Sequence, residues 1–202
     1  MEYDKKVRAP LLKKIQAAMS QRRFEHVLGV EKAALFLAEK YGASQEKASI
    51  AALTHDYAKE RPDEDFKKII LDYGYDLDLL NWNNAIWHGV IGAKLVEIEL
   101  GITDESILQA IRLHTTGAAQ MTLLDKIIYV ADYIEPGRDI PGIEKARAIA
   151  KKDLDEAVAY ETKHTLAHLI EIHAPVYPKT IETYNRWVAK KRDKNEEVNE
   201  NR

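Results

Sequence analysis

The 202-residue chain contains no cysteine. That absence removes disulfides, zinc–thiolate sites and cysteine nucleophiles at once, so any metal must sit on nitrogen and oxygen ligands. A basic excess is missing too: 30 Lys and Arg face 33 Asp and Glu, the net charge is -3 and the pI is about 6.2. Such a balance offers no field for nucleic acid or for an anionic membrane, so neither is an expected partner. Attraction for an anionic phosphate compound would have to come from a local metal or a few cations. No apolar run approaches the length of a membrane span, and the mixed, basic start has no signal-peptide core, so the expected address is cytoplasmic. Internal repeats and low-complexity linkers are lacking, and alternating β-branched runs are scarce, which argues against strands.

What is present is 46% hydrophobic and 31% charged, enough for a sizeable core inside a wet exterior. The simplest division is one domain over residues 1–189 and a charged, mobile tail over 190–202. Apolar residues recur every three or four positions, as on helices. In Ser20 to Tyr41 the stripe Val27, Val30, Ala34, Leu37, Tyr41 follows one face, and Gly42 stands where a glycine ends a helix. Ser44 can cap a helix that reaches His55-Asp56 near its end, and Pro62 can open one ending at Tyr73-Gly74. Asp76 to Asn84 reads as a connector or short helix. Further helices are expected from Ala85 to Leu100, from Thr103 or Asp104 to His114, and from Thr122 to Ile134 before Glu135-Pro136-Gly137. Asp153 to His173 and Lys179 to Lys191 complete a compact all-α bundle.

The chemistry-bearing feature is a set of helix-borne histidines and aspartates, His26, His55-Asp56, His88, His114 and Asp132, spread over five expected helices. First-row metals accept imidazole and carboxylate together, and a bundle interior can gather ligands from facing helices. Small residues stand near each ring: Gly29 and Ala33 near His26, Ala51, Ala52 and Ala58 near His55, Ala85 and Gly92 near His88, Ala110, Gly117 and Ala118 near His114. At offsets of three and four they leave room for a ligand or metal. Each residue alone also has an ordinary reading, as a surface or hydrogen-bonded histidine or a helix-surface carboxylate. Asp132 lies among Tyr129, Val130, Ala131 and Tyr133, a setting that reads as buried and so calls for a partner. His164 and His168 are four apart, but no acid takes the Glu position of an HExxH motif; both read as structural, and Glu161 and Glu171 as ordinary residues of an exposed helix. Trp82, Trp87 and Trp187 read as core or pocket walls, since no basic interleaving accompanies them.

The string KASIAALTHDYAK, Lys47 to Lys59, resembles the signature of the HD phosphohydrolase superfamily. His114-Thr115-Thr116-Gly117, followed by LDKIIYVADYIEPGR from Leu124 to Arg138, is similar to the YqeK family, whose members are symmetrical diadenosine-tetraphosphate hydrolases. Arg23-Phe24-Glu25-His26 with Val30, and Trp87-His88-Gly89, fit the same pattern. The likeness runs from about Arg22 to Trp187, and ADYIEPGR is its most specific piece.

The resemblance implies an HD-domain helical bundle in which His26, His55, Asp56 and Asp132 hold one metal ion, expected to be iron, for which other divalent metals can substitute. His88 and His114, with Thr115 beside them, match positions near the phosphates; they contact the phosphate chain or hold a second metal. Asp56, Lys59, His88 and His114 are the implied catalytic set. Arg138 fits a phosphate contact, and Pro175, Val176, Tyr177, Pro178, Lys179 and Thr180 match a nucleotide-binding segment, so that the nucleotide site also takes in His26 and Asp56. The implied substrate is a dinucleoside tetraphosphate and the product a nucleoside diphosphate, with a homodimer compatible with the many apolar helices. Rival readings are an HD-type phosphatase acting on nucleotide monophosphates or guanosine polyphosphates, a non-catalytic nucleotide-binding module, and a helical interaction module.

Overall fold

A computed structural model of the chain describes residues 5–189; residues 1–4 and the expected charged tail, 190–202, lie outside the described part. Among the described residues there are eleven α-helices, one 3-10 helix and no strand. They are α1 (Lys5–Ala17), α2 (Gln21–Tyr41), α3 (Gln45–Thr54), α4 (Asp63–Asp72), α5 (Asn84–Val90), α6 (Gly92–Leu100), α7 (Glu105–Leu113), α8 (Leu123–Ile134), α9 (Ile143–Ala150), α10 (Leu154–Glu171) and α11 (Pro178–Trp187).

The helix ends follow local chemistry. The Ser20 and Ser44 hydroxyls accept from the Arg23 and Lys47 amides, and Gly42 adopts φ 74°, the left-handed conformation that ends α2 without strain on a Cβ. Thr122 and Asp125 form a reciprocal capping box at the start of α8. Asp76 to Asn84 contains the 3-10 helix Leu77–Asn81.

Three expectations are corrected. The stretch from Ala85 to Leu100 is not one helix but two, α5 and α6, broken at Ile91. Glycines at 89 and 92 weaken a continuous helix there, and Gly92 packs so tightly on Ala58 that a Cβ would come within 3.1 Å of that methyl. The last helix stops at Trp187, short of Lys191. Finally, α1 and α9 were not anticipated; α9 has only Ile143, Ala146 and Ala150 buried, too slight a stripe to stand out.

The core has α8 at its centre. Ile127, Ile128, Tyr129, Val130 and Ala131 are buried in succession, so this helix is covered on all sides, by α2, α3, α7 and α10. A second cluster of Ala58, Phe66, Ile70, Trp87, Ile91 and Leu95 anchors α4 to α6. Buried Glu31 ties three helices together by accepting two bonds from Arg8 on α1 and one from Ser49 on α3. No described helix is long and apolar enough to cross a membrane.

Candidate metal centre

The helices bring the four histidines and two aspartates singled out in the sequence to one place. His26 comes from the first half of α2, His55 caps the end of α3 with Asp56 just beyond, and His88 belongs to α5. His114 caps the end of α7, and Asp132 lies near the end of α8. All six converge. One ligand atom each from His26, His55 and Asp132 falls within 4.8 Å of the others, and the same holds for His55, Asp56 and His114. Asp56 stands between two halves: Oδ2 lies 3.6 Å from both His26 Nε2 and His55 Nε2, while Oδ1 lies 3.5 Å from His88 Nε2 and 3.7 Å from His114 Nε2.

Ring orientation is set from behind. The Nδ1–H groups of His55, His88 and His114 donate to the carbonyls of Ala52, Asn84 and Ile111 at 2.7, 2.6 and 2.7 Å. Each Nε2 therefore turns a lone pair towards the cluster. His26 Nε2 and His55 Nε2 are buried and make no hydrogen bond within the chain. His88 Nε2 and His114 Nε2 lie 3.1 Å apart with Thr115 Oγ1 close to both. Lone pairs this near repel unless a positive charge lies among them, and buried acceptors without donors are costly. Nitrogen and oxygen donors left open beside two carboxylates fit a metal ion.

Three cations border the carboxylates. Arg23 Nη1 bonds Asp56 Oδ2 at 2.6 Å, and Arg138 bonds Asp132 twice, Nη2 to Oδ1 at 2.7 Å and Nε to the carbonyl at 3.1 Å. Lys59 Nζ approaches His88 Nε2 at 3.2 Å. Burial would push the Asp56 carboxyl up, yet the imidazoles of His55, His114 and His88 around it hold it well below the usual range. Asp132 is likewise held low against its burial, by close His26 and the charges of His55 and Arg138. Burial drives His55 down to about 4 and His88 to about 3. With its Nδ1–H committed to the Asn84 carbonyl, neutral His88 presents Nε2 to the cluster as an acceptor.

These buried rings predict acid sensitivity in the chain stripped of metal. Between pH 6.5 and about 4 an unfolded chain protonates His55 and His88 while the folded one does not, so stability falls as pH falls through that window. The slope is about 1.4 kcal/mol per pH unit for each ring. Urea unfolding at several pH values should show it, and His88→Asn should make the loss shallower; a flat profile would contradict the burial of neutral rings.

Several neighbours differ from the sequence reading. The glycines read as room beside the rings are filled against, not open: a Cβ on Gly29 would meet Glu135 Oε2 at 2.5 Å, one on Gly92 the Ala58 methyl at 3.1 Å, and one on Gly117 Thr183 Cγ2 at 2.6 Å. Glu161 is not exposed but buried on α10, and burial with the nearby Asp132 charge pushes its carboxyl well up. His164 donates to the Tyr160 carbonyl and stacks on that ring, a structural placement. In the segment Pro175 to Thr180, Tyr177 packs edge-on against Trp82 at 4.8 Å, and further along α11 Thr183 donates to the Thr116 carbonyl. Lys179 lines a depression of about 290 Å³ with Arg112 and Gln120. Arg147 was not foreseen; it donates to the carbonyls of Ile134, Glu135 and Arg138, clamping the turn that carries Arg138.

Comparison with known proteins accords with this geometry. The family model "HD domain" matches residues 23–137. A Bacillus subtilis protein named "Bis(5'-nucleosyl)-tetraphosphatase, symmetrical" is 46% identical over 174 residues, 86% of this chain and 93% of that one. A protein of the same name from Halalkalibacterium halodurans is 42% identical, covering 89% of this chain and 96% of its own. A Clostridium acetobutylicum crystal structure titled as a "predicted HD superfamily hydrolase involved in NAD metabolism" superposes with a TM-score of 0.84 at 38% identity, over 88% of this chain and 95% of that one. With a model match across more than half its residues and relatives similar along nearly their whole length, the chain belongs to the HD-domain family.

Proposed function

We propose that the chain hydrolyses dinucleoside tetraphosphates symmetrically, with diadenosine tetraphosphate as its substrate and two molecules of the nucleoside diphosphate as products. The observation that carries the reading is the convergence of four histidines and two aspartates from five helical segments, in a chain 46% identical to a protein named for that activity. His26, His55, Asp56 and Asp132 hold an iron ion in this reading, and His88 and His114 face the phosphate chain or a second ion. When bound, such an ion supplies Lewis acidity, lowering the pKa of water and neutralising charge on phosphoryl oxygens.

The chain's own groups do the rest. Asp56 and Asp132, held ionised, serve as ligands, and Asp56 also orients the attacking water or accepts its proton. Arg138 keeps donors for a non-bridging phosphoryl oxygen, since its two bonds to Asp132 use only part of a five-donor guanidinium. Lys59 brings a cation to the His88 side of the centre. Water adds to a central phosphorus, the bond to the bridging oxygen at the middle of the tetraphosphate breaks, and that oxygen departs on the second diphosphate. Tyr177 and its segment then receive a nucleoside half.

Product identification tests the proposal. Diadenosine tetraphosphate incubated with freshly metallated chain should yield adenosine diphosphate alone. Adenosine monophosphate with the triphosphate, or release of inorganic phosphate from a nucleotide monophosphate or guanosine polyphosphate with no action on the tetraphosphate, would contradict it.

A further inference from the structure

Three of the four imidazoles owe their orientation to their own helix, through a carbonyl three or four residues earlier. His26 does not. Its Nδ1 instead faces Glu135 Oε1 at 3.4 Å, across the gap between α2 and the turn that ends α8. We propose that Glu135 is a positioning residue: its carboxylate accepts the Nδ1–H of His26 and holds the neutral ring in the tautomer whose Nε2 lone pair points at Asp56 and Asp132. The inference rests on the reading of His26 as a ligand and adds the group that aims it.

Four observations converge on Glu135. The residue is buried, and its Oε2 is fixed by the Gly137 amide at 2.5 Å. Its backbone carbonyl accepts from Arg147 Nη2 at 2.7 Å, so the turn carrying it is pinned from α9. His26 Nε2 lies 3.1 Å from Asp132 Oδ1 but off the line of a hydrogen bond, so the Nδ1 side has the better-aimed acceptor. Gly29, three residues beyond His26 on the same helical face, gives the carboxylate its room: a Cβ there would stand 2.5 Å from Glu135 Oε2. A glycine inside α2 costs about 1 kcal/mol of helix propensity relative to alanine, and here that cost coincides with the approach of the carboxylate. A carboxylate behind a ligating imidazole fixes the ring and raises its basicity, and losing such a partner weakens metal binding about 10- to 100-fold.

The test reads the ring itself. In the full chain, ¹⁵N-labelled, stripped of metal and held at a pH where His26 is neutral, two-bond ¹⁵N–¹H correlations report the tautomer, with His26→Gln assigning the signal. The expected result is Nδ1–H in the unaltered chain. Glu135→Ala and Gly29→Ala should lose that preference and bind cobalt(II) about 10- to 100-fold more weakly at unchanged helical circular dichroism. Should Glu135→Ala not fold, Gly29→Ala displaces the same carboxylate; a merely structural Gly29 would gain stability and keep its cobalt(II) affinity. Nε2–H in the unaltered chain, or variants that retain both tautomer and affinity, overturns the assignment. Neither readout involves substrate, so failure here is separate from failure of the tetraphosphatase reading.

Discussion

Asp56→Ala is expected to lower turnover at least about 10³-fold, since an ion at this centre contributes several kcal/mol and each 1.4 kcal/mol is a tenfold change in rate. Asp56 is the residue whose two oxygens face both halves of the cluster, so its loss disturbs His26 and His55 on one side and His88 and His114 on the other. It also leaves the Arg23 guanidinium without the carboxylate it bonds. Asp56→Asn, nearly the same in shape, keeps the packing and an oxygen for Arg23 but lacks the charge, and should lose metal and turnover while keeping its helical circular dichroism. Steady-state rates with elemental analysis of each variant check this. Asp56→Ala with ordinary turnover and a full complement of metal would remove Asp56 from the ligand set.

Arg138→Ala is expected to cost about 2–4 kcal/mol of transition-state stabilisation, the scale seen when one preorganised donor to a developing anion is lost. The guanidinium is held in place by Asp132 and by the turn that Arg147 clamps, so the proposed phosphate contact needs no rearrangement of the side chain. Arg138→Lys should recover little, because one ammonium nitrogen cannot span the positions that separate guanidinium nitrogens reach on Asp132 and a phosphoryl oxygen. Metal content should survive in both variants, which distinguishes this loss from that of a ligand. Unchanged kcat/KM in Arg138→Ala, at saturating and subsaturating substrate, would count against the phosphate contact.

The helices that carry the centre were legible where their ends are written in short-range chemistry, Ser44 as a cap and Gly42 as a left-handed stop, but the break that separates α5, which carries His88, from α6 was not. His26, His55, Asp56, His88, His114 and Asp132 stood out through residue type and through the resemblance, and the fold brings them together. Their partners were harder to read. Glu135 lies 109 positions from His26, so nothing local announces that pair. Arg147 acts through three carbonyls of a distant turn, and a carbonyl leaves no mark in a sequence. Glu161 looked like any helix-surface acid because its burial is imposed by neighbours from other helices. The small residues illustrate the same limit: Gly29, Gly92 and Gly117 read as room for a ligand or metal, and only the fold reveals that side chains fill it.

The most direct measurement is a crystal structure of the chain grown with iron, with anomalous data collected at the iron absorption edge. The account predicts a peak enclosed by His26, His55, Asp56 and Asp132, with a second peak, where there is one, on the His88 and His114 side. A map with no peak among those side chains, or His26 and Asp132 turned away from the His55-Asp56 pair, would contradict the claim that these helices fold around a metal.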